Sequence, residues 1–565
     1  MKHLTLSTPK RARFLPDLLI SLAIFALTLP FIYYFARNGF DPHHSGLMYK
    51  AALDVARGKV LFLETFTQYG ALTTWLQALS LHLLGERVTS ILFTTALFYA
   101  IDFALLYRLS RRLLSRAFSL LTVALSLSLA PFYFWLFHPW SSVYALTFLL
   151  LALEMMLLAL VRQGVRSAVL FALSGFCAAL SFWCRQPVGI VTALAGILVL
   201  LFLLILRRDP AERKRYLRSL LFFLTGVVAG VIALLIPIIL TGATSDFVHQ
   251  SLVGMIRFAS DRSSVDRFGI FGFIGLLLYD LLISPFQGFE LPGLDVLWSI
   301  LPLTGLVFAL LRIFAVFRQS RHEPDRPLST DLLIRLTFGV FAVGAWHQYY
   351  PVFCYRHWFW GSFLCVPIVL FYLIRGAKWL VEHPKLSKYC PTRRASLALA
   401  LAIVIIFAPN SGYRIFSAVR TSLAMQQNGE FDSAYCDHLD GLYLDTAQGE
   451  HFEIFFKTVT ELKEQFPDVN IVNGTENGVY ALFGENFCPM FNNSGDFFYD
   501  EYPTWLTDYI NKNRPIYVGP HAPSETYVLY ITLPGDGGDE YAIWHGVPAG
   551  IYLPIELYVQ LDLSK

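Results

Sequence analysis

Long apolar stretches alternate with short polar connections through the first 410 residues of this chain. A helix needs ~20 mostly apolar residues to cross a ~30 Å hydrocarbon core, and that length predicts about eleven spans. They are Leu18–Phe35, Val88–Tyr107, Ala117–Phe137, Ser142–Val161, Ala168–Cys184, Val188–Leu206, Ser219–Leu240, Leu294–Phe317, Leu332–Tyr350, Trp358–Ile374 and Ser396–Ala408. A further stretch, "GIFGFIGLLLYDLLIS" (Gly269–Ser284), is short for a crossing and reads as re-entrant or interfacial.

The pattern changes after Asn410, where Asn, Gly, Asp, Glu and Tyr rise and no further span appears through Lys565. "HFEIFFKTVTELKEQF" sets Phe452, Phe455, Phe456, Val459, Leu462 and Phe466 on one helical face with charges opposite. "VNIV" reads as a strand, and "NGTENG" as a turn in which Thr475 can act as an N-cap. "YPTWLTDYINKN" and "RPIYV" repeat the order of helix then strand. "TYVLYITL" is a strand ended by the turn signal "PGDGGD", and "GIYLPIELYVQL" reads as a further strand pair. The expected architecture is a polytopic α-helical membrane domain over 1–410 and a small α/β domain over 411–565. The second unit, at about 155 residues, is large enough for its own core.

Composition sharpens the membrane reading. Hydrophobic residues make up 55% of the chain and charged residues only 15%, against about 25% charge in soluble domains. Mean hydropathy is +0.52. The loops "RLSRRLLSR", "RRDPAERKRYLR", "RIFAVFRQSRHEPDR" and "RGAKWLVEHPKLSKYCPTRR" are basic and fall on alternate connections. By the positive-inside rule that face is cytoplasmic. The basic start, "MKHLTLSTPKRARF", leads into an apolar run too long for a signal peptide and without a cleavage site, so it reads as a retained first helix. Residues 36–87, "HPWSS", "RQP", the 241–268 loop, "YYPVFCYRH" and everything after Ala408 then face outward, as in a bacterial inner- or plasma-membrane protein.

A net charge of +3 excludes an extended nucleic-acid surface. The seven cysteines show no CxxC spacing, which excludes a zinc-ribbon or redox framework. Cys436 and Cys488 share the C-terminal unit and either pair or remain thiols. Asn473 and Asn492 head sequons that matter only in a host that glycosylates them.

The connection after the first span, residues 36–87, is far longer than a turn needs. It opens with "NGFDPHHSG" (Asn38–Gly46), followed by an apolar stripe at Leu47, Met48, Ala51, Ala52 and Val55 that ends at Gly58. Lys50 and Asp54 are spaced to pair on that helix, and a second helix runs from Ala71 to Leu84. Asp41 is either a catalytic acid at the mouth of the bundle or a helix-end aspartate. His43 and His44 either touch substrate or Asp41, or form a polar turn. Adjacent histidines rarely point the same way, so a metal site would need Asp41, one of them and a remote ligand.

"ALDVARGK" followed by "TTWLQALSLHLLGE" resembles the outer loop of GT-C membrane glycosyltransferases, in the branch of protein O-mannosyltransferases and aminoarabinose transferases. "GFCAALSFWCRQPVGI" (Gly175–Ile190) resembles a glycine- and proline-bearing span of the same superfamily. Two features depart from the pattern: Pro42 stands where a second acid usually follows the first, and "QYG" (Gln68–Gly70) replaces a double proline.

The resemblance implies a GT-C fold and transfer of a sugar from a polyprenyl-phosphate carrier to an extracytoplasmic glycan, lipid or protein. It implies no resident cofactor; a divalent cation is used elsewhere in the superfamily. It makes Asp41 the general base or acceptor-positioning acid, a role that requires hydrogen-bond reach to the acceptor hydroxyl. The departing lipid phosphate needs cations. Candidates are Arg356 and His357 in an aromatic belt, Arg185 at the end of a span, and Arg262 in the Asp246–Gly269 loop, a candidate gate. Glu64 and Tyr69 are candidate pocket residues. Asp102 and Glu154 are acids within spans and give thin support to a transporter. A lipid-linked-sugar flippase and an inactive scaffold remain the alternatives.

Overall fold

The computed structural model describes residues 14–67, 69–133, 137–263, 265–288, 296–323, 326–349, 353–475, 477–482, 502–535 and 548–564. Among these, eight helices are long and apolar enough to cross a membrane, or nine if a bent pair counts as one span. α1 (Phe14–Ala36) is followed by two shorter helices, α2 (His44–Ala56) and α3 (Ala71–Leu84), that lie between the first two spans. α4 (Val88–Ser110), α6 (Ser141–Leu160), α7 (Gly164–Cys184), α8 (Gln186–Leu206) and α9 (Pro210–Leu240) match their expected spans closely. Val296–His322 adds another, within which α10 is Leu303–His322. Large apolar side chains such as Val228, Ile232, Ile236 and Ile239 on α9 are exposed. A membrane covers such a surface, and this is an integral membrane protein.

Four expected spans take other forms. Ala117–Phe137 holds only α5 (Arg116–Ser128) and a 3₁₀ turn at Pro131–Tyr133, because Pro131 has no N–H with which to continue the ladder. α11 (Thr330–Ala345) has 16 residues before the chain tightens into a 3₁₀ turn at Trp346–Tyr349. Trp358–Ile374 is broken into α12 (Tyr355–Ser362) and α13 (Cys365–Glu382), bent by 64°. The last span, expected to stop at Ala408, continues through Pro409 as α14 (Thr392–Gln427), a helix of 36 residues. At 1.5 Å per residue it is about 54 Å long, well beyond a bilayer's apolar core. Gly269–Ser284 forms a helix at Ile270–Leu278 and a π turn at Tyr279–Ile283, too short to cross.

The two acids within the bundle have polar partners. Glu154 sits 3.1 Å from Arg108 and 2.9 Å from Arg112, and the Thr147 hydroxyl donates to Asp102 at 2.5 Å. These contacts offset part of the cost of an acid in a low-dielectric interior.

The C-terminal unit packs α15 (Thr446–Gln465) and α16 (Tyr502–Asn513) with a four-stranded sheet. The strands are β1 (Ile471–Asn473), β2 (Ile516–Gly519), β3 (Tyr527–Thr532) and β4 (Gly550–Pro554), in the order β1-β2-β4-β3. β1 and β2 are parallel, whereas β4 is antiparallel to both its neighbours. Phe452, Phe455, Phe456, Val459 and Leu462 of α15 are buried, as their spacing predicts. Two details differ. The second half of "GIYLPIELYVQL" is helix α17 (Ile555–Ser564), because Pro554 ends the strand. In the turn after β1 the Thr475 hydroxyl accepts the Asn477 N–H at 3.0 Å, and Asn477 in turn caps the following 3₁₀ turn by accepting the Val479 N–H. Cys488 and Asn492 lie outside the described residues.

Candidate active site

Asp41 stands on the turn between α1 and α2. Its Oδ1 accepts the backbone N–H groups of His43 (2.9 Å) and His44 (3.2 Å), as a helix cap does. That leaves Oδ2 facing His44 Nδ1 at 2.8 Å and His138 Nε2 at 3.2 Å. Burial pushes the Asp41 carboxyl up, but the His44 hydrogen bond and the neighbouring His138, His44 and His43 hold it well below the usual range. Burial pushes His138 far below its usual value, more than Asp41 raises it. The stable state is therefore an ionised carboxylate beside a neutral His138. The helix-end reading of Asp41 holds through Oδ1, while Oδ2 faces the two histidines.

Trp140, at the start of α6, gathers the remaining candidates. Its ring centroid lies 4.7 Å from that of His44 and 5.6 Å from that of His138. His357 stands at 6.2 Å and Tyr69 at 6.5 Å. The Arg356 guanidinium lies over the same ring at 4.8 Å, within cation–π range. The Trp140 indole N–H is buried and has no partner among the described residues.

Arg185 occupies an extended residue between α7 and α8, so the two helices break around it. It donates to the Ser142 hydroxyl and lies 6.0 Å from the Tyr69 ring. The Tyr69 loop reaches it because Gly70 lies against the Trp183 carbonyl; a Cβ there would be 2.0 Å from that oxygen. The chemical reason for "QYG" is thus close backbone approach. The loop is also tied to the 241–268 segment, where Gln250 donates to the Phe62 carbonyl (2.7 Å) and Ser251 to the Tyr69 carbonyl (3.1 Å). That segment is short helices and a π turn at Val248–Val253.

Arg356 and His357 open α12, preceded by Cys354. Burial pushes the Cys354 thiol up, yet His357 and Arg356 bring it down to about 6. The same cations suit other anions, and arginine's planar fork fits a carboxylate or a phosphate.

Not every candidate belongs here. Glu64 is exposed and its carboxylate accepts the Val60 N–H at 2.6 Å, which closes its own turn. Asp54 pairs with Lys50 at 2.5 Å and Lys59 at 3.0 Å, while Arg57 pairs with Glu86. His43 is buried and packs on the His44 ring at 4.3 Å. The Arg262 side chain lies outside the described residues. His138 and Trp140 were the unforeseen members; the signal was "HPWSS", polar and aromatic at a span end on the same face as Asp41. Asp41, His44 and His138 are also the set that can hold a metal, with ligand atoms within 4.8 Å of one another.

The Asp41 stretch is bonded along its length to the C-terminal unit. Gly39 N–H donates to the Tyr443 carbonyl (2.7 Å) and Tyr443 N–H to the Arg37 carbonyl (2.8 Å). Gln448 donates to the Phe40 carbonyl at 3.1 Å. Gly478 N–H donates to the Pro42 carbonyl at 2.9 Å, and the backbones of Gly46 and Gly478 touch.

Residues 69–233 match the family model described as dolichyl-phosphate-mannose-protein mannosyltransferase. No curated protein matches the chain. Among solved structures it is similar to ArnT from Cupriavidus metallidurans in the apo state, at 12% identity and a TM-score of 0.50 over 95% of this chain and 98% of that one. ArnT of the same organism bound to undecaprenyl phosphate gives 14% identity and a TM-score of 0.42, over 97% and 99%. The expected resemblance is met at the level of fold: this chain folds like ArnT, and its residues 69–233 match the dolichyl-phosphate-mannose-protein mannosyltransferase model.

Proposed function

We propose that this protein transfers a sugar from a polyprenyl-phosphate carrier to a hydroxyl of an extracytoplasmic glycan, lipid or protein. The observation that carries the reading is that one ring, Trp140, lies against both His44, the hydrogen-bond partner of the ionised Asp41 carboxylate, and the Arg356 guanidinium. The carboxylate and the guanidinium meet the two demands of the reaction, a proton acceptor at one end and charge neutralisation at the other. The acceptor oxygen bonds to the anomeric carbon while its proton moves to Asp41 Oδ2. The bond from that carbon to the phosphate oxygen breaks, and its electron pair leaves with the lipid phosphate. Arg356, with the adjacent His357 and with Arg185 across the Tyr69 ring, holds the charge that grows there. His44, half-buried, hydrogen-bonds to the same Oδ2 and helps keep the carboxylate ionised before transfer. The basic loops on the opposite connections support an outward-facing site and C-terminal unit.

The role of the clamp is tested by steady-state kinetics with a labelled polyprenyl-phosphate sugar. Arg356→Ala is expected to raise KM for the donor about ten- to hundredfold, the worth of a charged hydrogen bond to phosphate. Arg356→Lys should recover only part of it, because lysine lacks the planar fork. An unchanged donor KM in Arg356→Ala would remove Arg356 from the clamp.

A further inference from the structure

The structure assigns a second capacity to the Asp41 turn: we infer that Asp41 Oδ2, His44 Nδ1 and His138 Nε2 form a binding site for a divalent transition-metal ion, of which Zn²⁺ suits the donors best. When that ion is bound, transfer is blocked. The inference rests on the proposed role of Asp41 for the blocking, and not for the binding.

Three donors converge from two separate pieces of chain: the turn from Asp41 to His44 that leads into α2, and the loop before α6 that carries His138. Their atoms lie within 4.8 Å of one another, and Oδ2 is 2.8 Å from His44 Nδ1 and 3.2 Å from His138 Nε2. Tetrahedral zinc with bonds of about 2.0–2.2 Å separates its ligand atoms by about 3.3 Å, so small side-chain shifts suffice. The carboxylate needs no rearrangement, because Oδ1 is already held by the two backbone N–H groups. The rings of His44 and His138 are stacked 5.2 Å apart at 15°, so both present an edge to the same side. Two imidazoles and one carboxylate are a borderline-soft set that suits zinc, cobalt or nickel and is poorly matched to magnesium or calcium. His44 and Asp41 keep 24% and 15% of their side chains exposed, which leaves a path for a water as fourth ligand.

Transfer is affected because Asp41 has only one oxygen to spare. Oδ1 is committed to the helix cap, so Oδ2 is the oxygen that can receive the acceptor proton. A cation on Oδ2 and on His44 Nδ1 occupies both the base and its neighbour. The ion therefore competes with catalysis, and its removal by a chelator restores it.

The test uses the full-length protein in detergent, stripped with EDTA and titrated with ZnCl₂ by calorimetry. Expected is one saturable equivalent that is lost in both His44→Ala and His138→Ala, each checked for an unchanged melting temperature before zinc is added. CoCl₂ should give the intense visible bands of a tetrahedral site in wild type and not in His138→Ala. Absence of that equivalent, or its persistence in both variants, overturns the site. In a parallel transfer assay, saturating ZnCl₂ should lower the rate about tenfold or more, reversibly with EDTA, since a general base contributes about 10²–10⁴. Zinc that binds without slowing transfer, or that the reaction needs, overturns the blocking role. If no carrier sugar is transferred even by metal-free wild type, it is the proposed function that fails, while calorimetry still decides the site.

Discussion

Asp41→Asn is expected to lower the turnover of transfer by about 10²–10⁴, the range contributed by a positioned general base. The substitution is well chosen because asparagine keeps much of the local structure. Its side-chain oxygen can still accept the His43 and His44 N–H groups, so α2 should keep its start and the protein its melting temperature. What changes is the second position. An amide nitrogen facing His44 Nδ1 and His138 Nε2 carries no charge and takes no proton. Donor KM should hold steady, since the proposed phosphate clamp of Arg356 and Arg185 does not include Asp41. Turnover within threefold of wild type in a folded Asn variant would sink the base assignment and leave Asp41 as a helix cap.

Gly478→Val should reduce turnover about a hundredfold although Gly478 lies more than 400 residues from Asp41 in sequence. A Cβ on Gly478 would stand 2.4 Å from the Gly46 carbonyl carbon and 2.6 Å from the Leu47 nitrogen. These are backbone atoms at the start of α2, and they cannot swing aside as a side chain does. The strand of contacts that includes Gly478 N–H to the Pro42 carbonyl would open, with an overpacking cost of about 1–3 kcal/mol. Asp41 lies one residue before Pro42, so its carboxylate moves with the turn. A loss of position weakens proton transfer more than donor binding, so kcat should fall while donor KM stays near wild type. Gly535→Val, in the same unit with nothing within 4 Å of its Cβ position, is the control and should behave as wild type. Equal effects of the two substitutions would mean that Gly478 matters only for general stability.

The contact with Gly478 also changes what the C-terminal unit does. It grips the Asp41 stretch through Tyr443, Gln448 and Gly478, and we assign it the positioning of that turn in addition to any role in holding the acceptor.

How far the sequence reveals this can be seen residue by residue. The apolar runs show where helices lie, because membrane burial leaves composition little freedom. They do not show where a helix stops when the signal is weak. Pro409 looks like an end, yet α14 runs on to Gln427 with Tyr413, Phe416, Val419 and Leu423 exposed along it. "IELYVQL" fits alternation and helix alike, and only the chain beyond Pro554 decides between them. Asp41 was legible from its place after the first span. His138 and Trp140 were not, because their importance depends on α6 bringing its start beside α2, a long-range fact with no local pattern. Glu64 sat in the right loop, but its partner is the backbone four residues earlier, so proximity in sequence misled.

The most direct test of the central claim is reconstitution of the metal-free wild-type protein in liposomes with a panel of polyprenyl-phosphate hexoses and pentoses labelled in the sugar, together with an envelope extract as acceptor. The account predicts that the label moves from lipid to acceptor with wild type and stays on the lipid with Asp41→Asn. Label that never leaves its lipid, but crosses from one leaflet to the other in a protein-dependent manner, would contradict it and make the protein a carrier.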